Sequence, residues 1–252
     1  MKVIAIIPAA GLGTRMVAAE TAPRSAVGKT PSKQFAELHG VPILIHTLRR
    51  FAASASIQEI YLALRSSEAE SFHLRLQQEH YVRKVQVVEG GEHRQQSVAN
   101  ALAAIKGSDD DIVLVHDAVR PLVTEEIIEM VIEAAKKHGA AIAGVPAVDT
   151  VKQVERTAEG AIVTSTLPRE RVVLAQTPQG FRFSILKKAM DEATTDGFLG
   201  TDEASLVERS GLEVAVVMGS PRNIKITTPA DLDLAEFYMS QSVRKAAGQS
   251  RS

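Results

Sequence analysis

Short runs rich in Val, Ile and Ala recur at Val3–Ile7, Ile60–Leu64, Val85–Val88, Ile112–His116, Ala141–Val145 and Val214–Met218. They read as strands buried on both faces. Between them the apolar period changes to that of a helix. Ile43, Leu44, Thr47, Leu48 and Phe51 share one face, as do Ile127, Ile128, Val131, Ile132 and Ala135 behind a capping Thr124. Thr228-Pro229-Ala230-Asp231 opens another helix with an N-cap threonine, a proline at the first position and a carboxylate in the first turn. Strands alternating with helices predict an α/β fold with a mostly parallel sheet covered on both faces.

One stretch breaks that rhythm. Thr150–Val154 and Ala161–Thr166 are two β-type runs around a polar turn from Glu155 to Gly160, which predicts an antiparallel hairpin. It carries too few apolar residues for a core of its own, so either it lies on the sheet or it projects and finds a partner, and the favoured reading is a projecting arm that makes a dimer. From about Ser240 to Ser252 the chain is polar and aperiodic and reads as frayed.

At 252 residues the chain is long enough for one large α/β domain with a full core. Its 29 Lys+Arg balance 30 Asp+Glu, which argues against a nucleic-acid or anionic-lipid coat, because counterion release needs a basic surplus. With no cysteine, disulfides, thiolate catalysis and Cys-ligated metal sites are excluded, a usage that suits a reducing cytoplasm. No apolar run reaches the roughly 18 residues of a membrane span.

Several blocks could carry chemistry. Pro8-Ala9-Ala10-Gly11-Leu12-Gly13-Thr14-Arg15 puts small residues and two glycines where the first strand ends, so backbone amides can approach a phosphate while Arg15 adds charge. Neither common nucleotide motif fits: Met16 stands where a dinucleotide fingerprint needs glycine, and Pro23 stands where a Walker loop needs one. Lys33 follows a Thr/Ser/Gly-rich stretch. Gly90-Gly91-Glu92-His93-Arg94-Gln95-Gln96-Ser97 follows a strand and opens a helix, where its amides and polar side chains can line a base or ribose pocket. In His116-Asp117-Ala118-Val119-Arg120 an acid lies just past a buried strand, where open α/β sheets bind ligands and an aspartate can hold hydrated Mg2+ against phosphate. His116 itself reads as a core residue, since no second histidine stands at ligand spacing. Asn223-Ile224-Lys225-Ile226-Thr227 reads as a strand with a lysine on one side, costly to leave unpaired if it lies over a phosphate site.

In this order the blocks resemble the 2-C-methyl-D-erythritol 4-phosphate cytidylyltransferase family from about Val3 to Phe237. The marks are Ala9 to Arg15, Lys33-Gln34, Gly90-Gly91 with Arg94 and Ser97, Asp117 to Arg120, Asp149-Thr150, Thr177-Pro178-Gln179, Thr201 to Ala204, and Asn223 to Lys225. The resemblance implies a Rossmann-like nucleotidyltransferase fold of the nucleotide-diphospho-sugar transferase type. It implies one domain over 1–240, with a β-arm at about 149–170 and a flexible tail at 241–252. It also implies Mg2+-dependent transfer of CMP from CTP to methylerythritol phosphate, by a cytoplasmic homodimer formed through the arm, with no nucleic-acid or membrane partner.

Carried over by position, Arg15, Lys33 and Lys225 surround the reacting α-phosphate, and Pro8, Ala9, Ala10, Gly11, Leu12 and Gly13 wrap the nucleotide. Gly90, Gly91, Glu92, Arg94, Ser97, Asp117 and Ala118 complete the nucleotide site, with Asp117 also near the metal and the ribose. Asp117, Arg120, Thr150, Arg169 and Lys225 hold the acceptor, Thr150 and Arg169 coming across the dimer. The segment between Arg15 and Lys33 is longer than the family's, which makes Lys29 a rival to Lys33, and Glu92 stands where the family often has Asp. Two other readings share these residues: a ribitol 5-phosphate cytidylyltransferase, and a nucleotide-binding dimer without catalysis.

Overall fold

The structure, a computed structural model, describes residues 1–11 and 33–249, with backbone alone for 242–249. The elements begin with β1 (Val3–Pro8), β2 (Glu37–Leu38), β3 (Val41–Pro42), α1 (Ile43–Ala53), β4 (Glu59–Leu64), α2 (Ser66–Leu76) and β5 (Val85–Glu89). Then come α3 (Arg94–Ala104), β6 (Ile112–Val115), α4 (Glu125–His138), β7 (Ala140–Pro146), β8 (Val151–Thr157) and β9 (Gly160–Leu167). The last are β10 (Val173–Arg182), α5 (Phe183–Thr195), α6 (Glu203–Arg209), β11 (Ala215–Met218) and α7 (Pro229–Gln249).

Among the described residues, seven strands form the central sheet in the order β11-β7-β10-β6-β1-β4-β5. All six strands expected from the sequence are in it. Neighbours pair in parallel except at β10, which runs antiparallel to both β6 and β7. Alternate residues of β1 serve opposite layers, as the strand period requires. Val3, Ala5 and Ile7 pack with Leu48 and Phe51 of α1 and Val131 of α4. Ile4 and Ile6 join the cluster holding Val98 of α3, Met190 of α5 and Leu206 of α6. The α4 cap is as expected: Thr124 Oγ1 accepts from the Ile127 N–H. At α7, Asp231 Oδ2 accepts from the N–H groups of Thr227 and Thr228, while the Asp231 N–H reaches Thr228 Oγ1.

Four expectations change. The strands are not all buried on both faces: β5 and β11 lie at the sheet edges with one side open, leaving Val216 and Met218 of β11 exposed. The hairpin is tighter than read, β8 and β9 extending the two runs until only Ala158 and Glu159 remain in the turn. Residues 223–227 are irregular backbone rather than a strand, because they pair through little more than the Ile226 N–H to the Val119 carbonyl, 2.9 Å. Helical backbone continues past Ser240 to Gln249, where the sequence shows no apolar period.

Candidate active site

The chain runs outward from β1 through β4 to β5, then returns to place β6 on the other side of β1. That reversal opens a crevice past the carboxyl ends of β1 and β6, the place where open α/β sheets take ligands. Pro8 to Gly11 leave β1 on one side, and His116 to Arg120 leave β6 on the other. Between them lies a cavity of about 250 Å³, lined by Pro8, Ala9, Ala10, Gly11, Lys33, Gln34, Arg94, Ser97, Asp117, Ala118, Val119 and Lys225. A second, of about 170 Å³, is lined by Arg94, Asp117, Arg120, Ala175, Gln176, Thr177, Gln179, Thr201, Asp202 and Lys225. Arg94, Asp117 and Lys225 are common to both and form the wall between them.

The floor of the larger cavity is held by its carbonyls. Buried Gln34 donates to the Ala9 carbonyl at 2.6 Å, and Arg65 Nε donates to that of Ala10 at 2.6 Å. Gly90 packs directly beneath: a Cβ there would collide with the Ala10 Cβ and crowd Ser97 Oγ, so the close approach requires glycine. Ser97 Oγ accepts from the Gly91 N–H at 3.0 Å and donates to the His93 carbonyl at 3.1 Å, fixing the strand-to-helix turn. Gly90, Gly91 and Glu92 therefore stand behind or beside the cavity rather than lining it. Glu92 is exposed, its N–H engaged by Gln96.

The dividing wall is an ion network. Asp117 accepts from Arg94 Nε at 3.2 Å, Arg120 Nε at 3.3 Å and Lys225 Nζ at 2.9 Å. Arg94 Nη1 also grips both oxygens of Glu203, at 2.7 and 2.8 Å. Burial would raise the Asp117 carboxyl, but Arg94, Lys225 and Arg120 overrule it and hold it well below the ordinary carboxylate range. Burial pushes Glu203 up, with Arg94 opposing, and pulls Arg120 down against the attraction of Asp117. Among the described residues, three cations against two carboxylates leave the wall one positive charge in surplus, and Lys225 is its most exposed member at 38% of the side chain.

Of the residues singled out from the sequence, Pro8, Ala9, Ala10, Gly11, Lys33, Arg94, Ser97, Asp117, Ala118, Arg120 and Lys225 converge on these cavities. Leu12, Gly13, Arg15 and Lys29 lie outside the described residues. Thr150 and Arg169 are exposed at the base of the arm, line neither cavity, and Arg169 donates to the Val148 carbonyl at 2.9 Å. The sequence reading assigned no role to Glu203 or Asn223. Asn223 is fully buried, donates to the Thr177 carbonyl at 2.9 Å and accepts from Arg120 Nη1 at 2.6 Å.

Asp117 does not suit direct metal ligation. Both its oxygens already accept from cations, and no group of three or more His, Cys, Asp or Glu that could hold a metal occurs among the described residues. Mg2+ keeps several waters and takes further oxygens from substrate phosphates, so Asp117 fits a hydrated ion reached through water rather than a direct bond.

The profile of the IspD, or 2-C-methyl-D-erythritol 4-phosphate cytidylyltransferase, family matches residues 3–241. The chain belongs to this family. A 2-C-methyl-D-erythritol 4-phosphate cytidylyltransferase of Acidobacterium capsulatum is 56% identical over 241 residues, covering 96% of this chain and 98% of its own. One from Solibacter usitatus is 50% identical over 246 residues, covering 98% and 99%. The crystal structure of the Francisella tularensis 2-C-methyl-D-erythritol 4-phosphate cytidylyltransferase superposes with a TM-score of 0.76 at 36% identity, covering 94% of this chain and 99% of that one. This likeness establishes the fold as the Rossmann-like nucleotidyltransferase expected from the sequence. Within this member of the cytidylyltransferase family, the residues that carry the resemblance and those that line the two cavities largely coincide.

Proposed function

We infer that this chain transfers the cytidylyl group of CTP to the phosphate of 2-C-methyl-D-erythritol 4-phosphate, giving 4-diphosphocytidyl-2-C-methyl-D-erythritol and pyrophosphate. Family membership over residues 3–241 supports the reaction. The observation that carries the mechanism is the shared wall: one cationic partition, Arg94–Asp117–Lys225, faces two adjoining cavities. CTP occupies the larger, its triphosphate along the backbone that starts at Ala9. The acceptor phosphate occupies the smaller, against Arg120.

An acceptor phosphate oxygen bonds to the α-phosphorus as the bond from that phosphorus to the bridging oxygen breaks, the electron pair leaving with pyrophosphate. A phosphate monoester is already anionic at neutral pH, so no general base is needed. The obstacle is repulsion between two polyanions, opposed by positioning and preorganised charge. Lys225, with Lys33 and Arg15, meets the α-phosphate; Asp117 holds Lys225 in place until the anions arrive. Mg2+ bound with the triphosphate would supply charge neutralisation, and Asp117 would meet it through water, its oxygens being engaged by Arg94, Arg120 and Lys225.

The arm makes a homodimer. Val154, Ile162, Val163 and Leu167 are 47%, 63%, 55% and 38% exposed on a two-stranded hairpin, which is marginal in water without a partner. Thr150 and Arg169 at its base then reach the acceptor cavity of the second copy. Use of CTP as donor supports a cytoplasmic site of action, and no helix among the described residues is long and apolar enough to cross a membrane.

Purified protein with CTP, Mg2+ and methylerythritol phosphate is expected to release pyrophosphate, and to do so far faster than with ribitol 5-phosphate. Preference for ribitol 5-phosphate would replace the acceptor. CTP binding with no release from either would replace the enzyme with a nucleotide-binding module.

A further inference from the structure

The backbone that leaves β1 for the larger cavity is gripped from outside that cavity. The end of β4 runs beside it: the Ala9 N–H donates to the Ala63 carbonyl at 2.8 Å, and the Leu64 carbonyl accepts from the Gly90 N–H at 2.7 Å. Arg65, the first residue past β4, donates through Nε to the Ala10 carbonyl at 2.6 Å. Its side chain lines neither cavity, so that carbonyl points away from the nucleotide site. In a planar trans peptide the C=O and the following N–H point in opposite directions. The same hydrogen bond therefore turns the Gly11 N–H toward the cavity that Gly11 lines, and this N–H donates to no other described residue.

Packing fixes where this peptide lies but not how it is turned. Gly90 lets Ala10 sit close, whereas a Cβ on Gly11 would meet nothing within 4 Å among the described residues, and glycine adopts either sense of φ readily. The Arg65 hydrogen bond is what selects one orientation. Arg65 Nη2 is buried with no hydrogen-bond partner among the described residues, a cost that a side chain kept for packing alone would not carry.

We propose that Arg65 is a positioning residue for the nucleotide: by holding the Ala10 carbonyl away from the cavity, it presents the Gly11 N–H to the triphosphate. It acts through the Nε donor rather than through its charge. Gln34 grips the Ala9 carbonyl in the same way but lines the cavity itself, so Arg65 is the residue whose substitution isolates positioning from contact. The inference deepens the cytidylyl-transfer reading above and rests on it.

Two variants of similar length separate donor from charge. Arg65→Gln puts an uncharged amide nitrogen the same number of bonds from the backbone as Arg65 Nε, and Arg65→Met puts a methyl group there. Calorimetry with CTP and Mg2+, joined to steady-state kinetics, reads the effect. Arg65→Met should bind CTP about tenfold more weakly, the size of one net hydrogen bond. Its kcat at saturating CTP and its KM for methylerythritol phosphate should stay within about threefold of wild type by the same scale. Arg65→Gln should stay within about threefold of wild type in all three quantities. Equal losses of CTP affinity in the two variants would assign the effect to charge and overturn the proposal. So would unchanged CTP affinity in Arg65→Met, or a loss shared evenly by CTP affinity, kcat and acceptor KM. In wild type labelled with nitrogen-15 glycine, independent of how any variant folds, the Gly11 amide proton should move downfield on saturation with CTP and Mg2+; an unmoved Gly11 amide would overturn the proposal too. A wild type that binds CTP but releases no pyrophosphate with methylerythritol phosphate defeats the functional reading, while the CTP dissociation constants and the glycine spectrum still decide the role of Arg65.

Discussion

Lowering the pH from 7 to 5 should destabilise this protein through His116 alone by about 2 kcal/mol. The imidazole is 0% exposed and its pKa falls from 6.5 to about 3. The unfolded chain binds a proton through this window and the folded chain does not, so stability is full above pH 6.5 and is lost as the pH falls toward 3. At pH 5 the gap from the unfolded pKa is about 1.5 pH units, and at about 1.36 kcal/mol per unit the loss is about 2 kcal/mol. For a chain of this length that lowers Tm by about 4–8 °C. Urea denaturation of wild type and His116→Phe at both pH values isolates the effect, since other titrating groups are common to the two. Wild type should lose about 2 kcal/mol more than the variant between pH 7 and pH 5. Equal losses would mean that the ring is charged, or hydrated, in the folded state.

Lys225→Ala should lower turnover by about 10²–10³-fold while leaving CTP affinity within about tenfold, because the lysine opposes charge that develops in the transition state; equal losses in both would assign it to ground-state binding. Glu203→Gln removes one charge from the buried Arg94–Glu203 pair and should cost about 3–5 kcal/mol in urea denaturation, with weaker CTP binding as Arg94 shifts. A stability change below about 1 kcal/mol would show that Asp117 alone holds Arg94. Ile162→Glu with Val163→Glu should give monomers in sedimentation and a raised KM for the acceptor; fully active monomers would remove Thr150 and Arg169 from the partner's site.

The parts of the fold legible in the sequence were those that bury apolar surface with a clear period. The six β-branched runs and the faces of α1 and α4 announce themselves because each strand or helix packs against the same core. β10 did not, although it lies in the middle of the sheet. Its Gln176-Thr177-Pro178-Gln179-Gly180 segment has turn-like chemistry, and proline normally argues against a central strand. Pairing with β7 shifts register between Ala175 and Gln179, and the polar side chains of Gln176, Thr177 and Gln179 point to partners around the site instead of to a core. Much of the candidate site was legible because glycines and charges cluster at strand ends: Ala9 to Gly11, Asp117 and Arg120 all lie past β1 or β6. Glu203 and Asn223 were not, since a buried carboxylate and a buried amide reveal a purpose only when Arg94 and Thr177 are seen beside them. That Arg94, Arg120 and Lys225 share the two oxygens of Asp117 was not legible either, because sequence spacing does not show which side chains meet it.

The most direct test of the account is a crystal structure with CTP, Mg2+ and methylerythritol phosphate in a slow variant such as Arg15→Ala. The α-phosphate should lie in the larger cavity with an oxygen about 3 Å from Lys225 Nζ, and the acceptor phosphate should lie across the Asp117 wall, facing the α-phosphorus in line with the bridging oxygen. A triphosphate bound elsewhere, with Lys225 still closed on Asp117 and no phosphate on either side of it, would contradict the account.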